Sequence, residues 1–412
     1  GGSPTVTNVI FSGNNAFRGG GGMLNNIDGQ VPSRPTVTNV IFSGNSADTG
    51  GGMQNNYSNP ILANVVFSGN SAGSGGAVYN AGLPPSDTPT ALINVTFSGN
   101  SASDNGGAVY NVNSRVAIRN SILWGDSAPS NSEILTDTSS NNSKTWVAYS
   151  IVQGSGGSGS AWWDQEAPNK PGTFDNGGNL DTNPLFVAPP TNPRLQYASP
   201  AINAGANTYV PGFVTTDPDG APRVVGGTVD MGAYESPCPA PGSIIYVNGS
   251  ASGANNGSNW SNAYTTLTAA LAGVPPTPAN ACAEIWVAQG TYKPTSDADR
   301  TRSFTLLNNV AIYGGFTSGQ TSLSDRNANS ATNNTVLSGD IGTPSEPSDN
   351  SYHVVTGSGT DNTAVLDGFT ISGGNASVAG GDCSGNSCGG GMFNVGGSPT
   401  VTNVIFSGNN AF

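Results

Sequence analysis

Apolar and polar positions alternate within a short segment that recurs along the chain. The segment Pro-Thr-Val-Thr-Asn-Val-Ile-Phe-Ser-Gly-Asn occurs at residues 4–14, 35–45 and 399–409. We call its Asn the anchor. The positions two before and three after it are apolar, as Val37 and Phe42 are around Asn39, whereas the position directly before it is mostly polar or small. This alternation predicts a strand with one buried face.

Ten anchors can be aligned, with successive spacings of 25 to 35 residues. In assembled order they are Asn309, Asn334, Gly368, Asn403, Asn8, Asn39, Asn64, Asn94, Asn120 and Tyr149. Spacings of this size are typical of a solenoid, in which each rung buries its apolar stripe against the next rung. A residue type that recurs on nearly every rung indicates a scaffold role and not a catalytic one.

Corners are predicted at two places in each rung. Asn and Gly adopt the left-handed backbone conformation more readily than other residues, and a Gly lies five residues after every anchor. We therefore expect a corner at the anchor and another at this Gly. If the corners stack, the nine Asn or Gly anchors form a structural ladder in which the Asn side chains bond to one another.

A second motif, Gly-Gly-(Gly/Ala)-(Met/Val)-x-Asn, follows the first in five rungs, at residues 20–25, 50–55, 75–80, 106–111 and 389–394. It predicts a further short strand with its Met or Val pointing inward, and hence two or three strands in each rung. The predicted fold is all-β: a right-handed parallel β-helix, or β-solenoid, with short capping elements.

The amino-acid composition agrees with this fold, and the net charge limits the classes of partner that the protein could bind. Gly contributes 59 residues and Pro 28, and only 9% of residues are charged, which favours turns and strands over helices. The net charge of −13 disfavours nucleic acid as a partner. No apolar run is long enough to predict membrane insertion. Residues 1–11 do not resemble a signal peptide, so we expect any export signal to lie outside this chain.

Four cysteines, Cys238, Cys282, Cys383 and Cys388, allow three pairings if all are bridged. Cys383 and Cys388 flank a short loop that could close locally, which would leave Cys238 with Cys282. Disulfides predict an oxidising location, extracellular or at the cell surface. A zinc site is disfavoured, because the cysteine spacing does not fit and the single histidine, His353, is remote in sequence.

The motif Phe-x-x-Asn followed by Gly-Gly-(Ala/Gly)-(Met/Val) resembles the rungs of polymorphic outer-membrane proteins and of the wider pectin-lyase-like β-helix families. The resemblance covers nearly the whole chain and implies the β-helix fold. It implies little about function, because these families include lyases, hydrolases, adhesins and structural modules.

Two other segments resemble the ends of secreted bacterial tandem-repeat β-helix proteins. Residues 244–283 are similar to a cap that opens such a helix, and Tyr264, Leu267, Ala270 and Leu271 within it have the spacing of a short amphipathic helix. Residues 181–235, with Asn-Pro-Leu-Phe-Val, Ser-Pro-Ala-Ile-Asn-Ala-Gly and Val-Asp-Met-Gly-Ala-Tyr-Glu, resemble the region that closes such a helix. We call residues 161–235, which contain it, the exit cap. The closing region thus precedes the opening cap.

The predicted organisation follows from that order and from the repetition of residues 1–17 at 396–412, a period of 395 residues. Residues 1–160 are β-helix rungs from the C-terminal half of one unit, followed by the exit cap. Residues 236–243 form a Pro-rich linker, residues 244–283 the opening cap, and residues 284–412 the rungs of the N-terminal half of the next unit.

The sequence predicts a structural repeat unit of an extracellular filament, whose partners are copies of itself end to end. One alternative is a surface adhesin or glycan-binding module. Another is a polysaccharide lyase or hydrolase, which would need acidic residues clustered on one face. Arg119 and Asp367 lie rungs apart and do not supply such a cluster.

Two groups of residues could bind a ligand or could have a structural role. Asp217 and Asp219 could begin a calcium loop, although Arg223, Asp230 and Glu235 nearby favour salt bridges within the exit cap; no other metal or cofactor is predicted. Trp162 and Trp163 suit either a platform for sugar stacking or a hydrophobic lid over the last rung, and the lid is favoured.

Overall fold

The computed structural model describes residues 2–29, 31–84, 88–130, 132–139, 142–164, 171–238, 243–274, 282–378, 383 and 386–411. The chain forms two compact units, Gly1–Pro239 and Ala240–Phe412. We call them unit 1 and unit 2. The boundary between them falls within the Pro-rich segment 236–243.

The strands of unit 1 are β1 (Thr5–Thr7), β2 (Ile10–Ser12), β3 (Met23–Asn26), β4 (Thr36–Ser43), β5 (Ser46–Thr49), β6 (Met53–Asn56), β7 (Ile61–Ser68), β8 (Ser71–Ser74), β9 (Val78–Ala81), β10 (Thr90–Ser98), β11 (Ser101–Asn105), β12 (Val109–Val112), β13 (Arg115–Arg119), β14 (Ile122–Trp124), β15 (Ile134–Thr136), β16 (Lys144–Ala148), β17 (Ile151–Val152), β18 (Gly172–Asp175), β19 (Phe186–Ala188) and β20 (Asn192–Leu195). A short 3-10 helix lies at Asn207–Tyr209.

The elements of unit 2 are β21 (Ser243–Val247), α1 (Leu267–Gly273), β22 (Ala283–Ala288), β23 (Gly290–Tyr292), β24 (Phe304–Thr305), β25 (Val310–Phe316), β26 (Thr335–Ser338), β27 (Val355–Thr356), β28 (Val365–Ser372), β29 (Asn375–Ala376), β30 (Met392–Phe393), β31 (Thr400–Ser407) and β32 (Asn410–Ala411). Further 3-10 helices lie at Leu323–Asp325 and Pro347–Asp349.

Three parallel sheets run along unit 1. The largest follows the order β1-β4-β7-β10-β13-β16-β18 and also contains β2, β14 and β17. The second has the order β11-β8-β5, and the third β15-β12-β9-β6-β3. Three successive rungs each give one strand to every sheet: β4 to β6, β7 to β9, and β10 to β12. This stacking of parallel strands confirms the predicted parallel β-helix.

The core of unit 1 consists of columns of like side chains. Phe11, Phe42, Phe67 and Phe97 stack with ring centroids 4.8, 4.8 and 5.1 Å apart. These separations match the distance between neighbouring strands, because pairing in register sets residues of successive rungs directly over one another. On the facing sheet the Met and Val column, Met23, Met53, Val78 and Val109, continues to Ile134, which lies outside the Gly-Gly motif.

All ten predicted anchors have a left-handed backbone, with φ between 48° and 85°. Eight of the Gly residues five positions later also have positive φ. Gly314 and Gly339 do not have a positive φ. These two positions require glycine for a different reason, because a Cβ would overlap the backbone carbonyl of Gly368 or Gly373 on the neighbouring rung. The close approach of two rungs, and not a left-handed φ, requires glycine there.

The described residues of unit 2 form five layers, led by β21, β22, β25, β28 and β31. Here the predicted alignment needs correction. Ile312 pairs with Leu366, and Leu337 pairs with Ile371 on the same strand β28. Strands β25 and β26 therefore belong to one layer that is interrupted by a long loop. Asn309 lies at the start of that layer, outside the anchor register that Asn334, Gly368 and Asn403 share.

The opening cap contains helix α1 (Leu267–Gly273). It begins after Thr266, whose hydroxyl accepts a hydrogen bond from the amide of Ala269 at 3.2 Å, the usual N-cap arrangement. Its buried residues are Leu267 and Ala270. Tyr264 precedes the helix and instead forms a parallel bridge with Val247 of β21.

Candidate functional site

Three anchor side chains of unit 1, those of Asn64, Asn94 and Asn120, bind the exit cap. Asn64 donates from Nδ2 to the carbonyl of Thr216 at 2.7 Å and also to Oδ1 of Asn39 at 3.0 Å. Asn94 donates to the carbonyl of Asp230 at 3.2 Å. The Oδ1 atoms of Asn64 and Asn94 have no hydrogen-bond partner among the described residues. One contact of the expected ladder, between Asn64 and Asn39, is thus present, whereas the Nδ2 of Asn94 donates to the backbone of the exit cap.

Asn120 makes the most complete of these contacts. Its Oδ1 accepts from the amide of Ala206 at 2.8 Å, and its Nδ2 donates to the carbonyl of the same residue at 3.0 Å. The amide of Ala233 donates to the Thr96 hydroxyl at 2.9 Å, and Ala233 and Tyr234 pack on Val66. The second half of the exit cap thus runs back along the side of several rungs.

The sequence contains a signal that the exit cap covers these rungs, and the alternation around the anchors did not reveal it. Two residues after each anchor, on the outward side, stand Ile10, Ile41, Val66, Thr96 and Ile122. Val66 and Ile122 are buried, and Ile41 packs partly buried against Val66 and the exit cap. Ile10 is 66% exposed. An outward apolar column in a β-helix predicts a covering segment.

A buried arginine organises the exit cap. Arg223 donates to the carbonyls of Ala233, Asp230 and Gly232 at 2.8 to 3.0 Å, and its guanidinium lies 3.5 Å from the Glu235 carboxylate. Burial raises the pKa of Asp230 to about 6, and burial together with the charge of Asp230 raises the pKa of Glu235 to about 8. Their contacts give these charged groups a structural role.

Asp217 and Asp219 use their carboxylates within the protein. Asp217 Oδ1 accepts from the amides of Asp219 and Ala221, and its Oδ2 accepts from the amide of Glu235. Asp219 forms a two-pronged ion pair with Arg194, at 2.7 and 2.5 Å. These contacts favour the structural interpretation of the segment over a calcium loop. No cluster of three or more His, Cys, Asp or Glu side chains suited to a metal occurs among the described residues.

A continuous polar ladder does exist, six residues after the anchors. Its members are Asn14, Asn45, Asn70, Asn100 and Asp126. Each Asn donates both its backbone amide and its Nδ2 to the Oδ1 of the next member, at 2.7 to 3.0 Å. Asn45, Asn70 and Asn100 also donate from Nδ2 to the carbonyl of a Phe on the preceding rung. The ladder satisfies the backbone at a corner where no strand pairing does so.

Unit 2 repeats the geometry of this ladder. The Oδ1 of Asn409 accepts from the amide of Gly374 at 3.0 Å, and its Nδ2 donates to the carbonyl of Ile371 at 2.8 Å. A second polar ladder in unit 1 follows the Gly-Gly motif, with Asn25 donating to Asn55 and Asn55 to Asn80, at 2.8 and 2.9 Å. Asn side chains that form hydrogen bonds between successive rungs thus occur at more than one corner and in both units.

The polar ladder ends at two buried acids. Asp126 takes the place of the next Asn and is 6% exposed; its amide donates to Oε1 of Glu133 at 3.3 Å, and Glu133 is 4% exposed. Burial raises the pKa of Asp126 to about 6, and burial together with the charge of Asp126 raises the pKa of Glu133 well above its usual range. Among the described residues, the Oδ2 of Asp126 and the Oε2 of Glu133 have no hydrogen-bond partner.

These two carboxyl groups lie at a cavity. It has a volume of about 270 Å³ and is lined by Asp126, Ser132, Glu133, Ile134, Gln153, Gly154 and Trp162. The pair was not identified from the sequence. One sequence feature could have indicated the pair: position 126 is an acid, whereas the same position on the earlier rungs is Asn14, Asn45, Asn70 and Asn100.

The two tryptophans differ in burial. Trp163 is 7% exposed, belongs to the hydrophobic core and donates from Nε1 to the carbonyl of Gly157 at 2.8 Å. Trp162 packs edge-on against it, is 36% exposed and lines the cavity. Trp163 thus has the packing expected of a lid residue, whereas Trp162 faces both protein and solvent.

The remaining candidate residues have structural contacts. Cys383 and Cys388 form a disulfide with each other, and Cys238 and Cys282 are also disulfide-bonded. His353 is stacked on Phe393 in unit 2, with its Nδ1 3.1 Å from the carbonyl of Gly389.

The two charged residues beside anchors bind neighbours in their own units. The guanidinium of Arg119 lies 4.5 Å from the centre of the Tyr209 ring in unit 1. Asp367 pairs with Arg326 at 2.6 Å in unit 2. Neither contact belongs to a catalytic cluster.

Within the described part of the chain, no helix has the length and apolar character needed to span a membrane. No curated protein and no solved structure matches the chain. Two segments of unit 1, residues 64–81 and 94–112, match the Chlamydia polymorphic membrane protein repeat. Each runs from an anchor to the end of the strand that begins within the Gly-Gly motif. The match and the stacked parallel strands together fit a β-helix-like surface protein.

Proposed function

We propose that this chain is part of an extracellular filament at a bacterial surface, built from β-helix units joined or stacked end to end. The similarity to a membrane-protein repeat of Chlamydia supports the location. The buried Phe column and the polar ladders support a scaffold role, because both recur from rung to rung. The Phe rings stack on those of neighbouring rungs, and the ladder side chains form hydrogen bonds with neighbouring rungs.

The observation that carries the proposal is the repeated segment, identical at residues 1–17 and 396–412. In unit 1 it pairs with the rung that follows it, so that Val6 and Phe11 meet Val37 and Phe42 of β4. In unit 2 the same residues, Val401 and Phe406, pair with the rung that precedes them, β28. One segment therefore takes the same register with an earlier and with a later neighbour.

A complete β-helix follows if this segment is the shared rung. The five layers of unit 2 and the seven of unit 1, with one rung in common, give eleven layers. At the usual strand separation they extend about 50 Å along the helix axis. Repetition of such helices produces a filament.

We propose no catalytic activity. A polysaccharide lyase or hydrolase needs acids that reach substrate on an open face. The acids of the exit cap instead accept hydrogen bonds from the backbone or pair with arginine. A purified chain that depolymerises an acidic polysaccharide would contradict this part of the proposal.

The location and arrangement can be tested by immunogold labelling of native cells with antibodies raised against residues 207–220 of the exit cap. The proposal predicts gold particles in rows along surface filaments, at regular intervals. Pre-adsorption of the antibodies with the peptide is the control and should abolish the rows. Diffuse labelling, or recovery of the protein as single particles only, would contradict the proposal.

A glycan-binding adhesin is the second candidate, and one surface feature favours it. Unit 2 has a polar groove of about 580 Å³, lined by Thr265, Thr266, Thr268, Thr291, Tyr292, Lys293, Pro294, Thr295, Ser296 and Ile341. Hydroxyl groups beside a lysine are suited to a sugar. Binding of the purified chain to a glycan array, lost on Thr291→Ala and Lys293→Ala but kept on Asp104→Asn in unit 1, would support this function; no binding would argue against it.

A further inference from the structure

The end of the polar ladder differs chemically from the rest of it. In the earlier rungs the side chain at this position carries an amide nitrogen, which donates to the next rung. Asp126 has a second carboxylate oxygen, Oδ2, in place of that donor, and this oxygen has no hydrogen-bond partner among the described residues. Glu133 Oε2 has none there either. Two buried carboxylates that each leave one oxygen without a partner are costly, because desolvation and like-charge repulsion both act against them.

The surroundings offer further oxygen ligands. The cavity of about 270 Å³ is lined by both acids and by Ser132 and Gln153. Gln153 presents its Oε1 at this corner, where it accepts from the amide of Gly125 at 2.7 Å. Because one water takes up roughly 30 Å³, the cavity has room for an ion that keeps several waters.

We propose that this cavity binds one hard divalent cation of the Ca²⁺ type, with Asp126 Oδ2 and Glu133 Oε2 as its carboxylate ligands. The amide oxygen of Gln153, the hydroxyl of Ser132 and water complete the coordination. Calcium takes six to eight oxygen ligands in flexible geometry, so a site with two carboxylates suits it better than a metal that requires a rigid set. Such a site is expected to bind in the range of extracellular calcium modules, roughly 0.1 to 1 mM.

A cation fits this pair better than other ligands. An anionic sugar would add a third negative charge beside two buried acids. A neutral sugar can stack on Trp162 but leaves the repulsion between Asp126 and Glu133 in place. A cation removes that repulsion and supplies a partner for both free oxygens.

The chain provides a matched variant for the test. Asp126→Asn restores the residue found at this position on the earlier rungs, so the ladder should be preserved while one carboxylate ligand is lost. Asp104→Asn removes the same charge from an exposed position of strand β11 on the neighbouring rung and serves as the control. The readout is the melting temperature of the purified full chain at pH 7.5, in EDTA and in 10 mM CaCl₂.

We expect calcium to raise the melting temperature of the parent chain and of Asp104→Asn by about 3 to 6 °C, and that of Asp126→Asn by less than about 1 °C. An equal shift in all three proteins would mean that calcium acts elsewhere, and no shift in any would mean that the pair holds only a proton. Either outcome would overturn the proposal. Because each is measured on isolated chains, failure here is independent of the filament.

A second measurement keeps the proposal testable if a variant folds poorly. Tb³⁺ substitutes for Ca²⁺, and its luminescence is sensitised by a nearby tryptophan. We expect sensitised emission from the parent chain that 10 mM CaCl₂ displaces and that Trp162→Phe reduces at least fivefold. Trp162→Phe should keep the calcium-induced rise in melting temperature. Emission that is unchanged by Trp162→Phe would contradict the site.

Discussion

Asn100 donates its backbone amide and its side-chain Nδ2 to one and the same atom, Oδ1 of Asp126, at 2.7 Å each. The same double donation connects Asn70 to Asn100 and Asn45 to Asn70. The polar ladder thus repeats one geometry from rung to rung, and its last acceptor is a carboxylate instead of an amide. Several properties of unit 1 depend on this arrangement.

Removal of an interior member should destabilise unit 1. Asn70→Ala deletes the acceptor for two donors of Asn45 and the donor to the Phe42 carbonyl, and leaves buried groups unsatisfied. We expect a loss of about 3 kcal/mol or more in the free energy of unfolding. Urea denaturation followed by tryptophan fluorescence measures it. Asn14→Ala, at the first rung, is the graded control and should cost less than half as much; equal losses would contradict the ladder.

The Phe column should contribute through packing. Phe67 is fully buried and stacks between Phe42 and Phe97. Phe67→Ala leaves a cavity in the core, and we expect a loss of about 3 to 5 kcal/mol. Phe17 is 93% exposed, so Phe17→Ala should change the free energy of unfolding by less than about 0.5 kcal/mol. Chemical denaturation of both variants provides the comparison, and similar effects would argue against the stacked core.

The acid pair should make stability depend on pH. The pKa of Asp126 is raised to about 6, so between pH 4 and pH 6 the unfolded chain loses a proton that the folded chain keeps. The free energy of unfolding therefore falls as pH rises through this range, by about 3 kcal/mol from Asp126. Glu133, whose pKa is also raised, extends the fall to higher pH.

Asp126→Asn isolates this effect from other buried acids such as Glu235. Measured in EDTA, the variant should be as stable as the parent chain near pH 4 and more stable at pH 7.5. Urea denaturation at a series of pH values gives the difference between the two proteins. A difference that does not change with pH would show that Asp126 ionises normally.

The contact between Asn120 and the exit cap should hold that segment on the rungs. Asn120→Gly keeps a residue suited to the left-handed backbone, at φ 49°, and removes both bonds to Ala206. We expect faster hydrogen exchange at residues 203–210, by about tenfold, with the core strands unchanged. Asn39→Gly, at an equivalent corner with φ 54°, is the matched control and should leave residues 203–210 protected. Equal exchange in both variants would contradict the role of Asn120.

The alternation around the anchors predicted the β-helix of unit 1 because strand register and burial follow from the same columns. Phe42 and Phe67 stack where their column predicts. The alignment of Asn309 was wrong for a physical reason. A loop interrupts one layer between β25 and β26, and a stacked core tolerates such an insertion without any mark in the local pattern.

The candidate site was less predictable. The anchor column gives the backbone conformation of Asn64 and Asn94, but the direction of their side chains depends on the exit cap, which is more than a hundred residues away in sequence. Asp126 and Glu133 come together only through the turn between β14 and β15. A column position where Asp replaces Asn was the available signal, and position 126 carries it.

The most direct test of the filament is X-ray fibre diffraction from oriented native filaments. If β-helices are joined end to end, the strands lie across the filament and the rungs stack along it. The account predicts a meridional reflection at about 4.8 Å, together with a longer axial repeat of at least about 50 Å. A 4.8 Å reflection on the equator, or native material that contains no filaments, would contradict it.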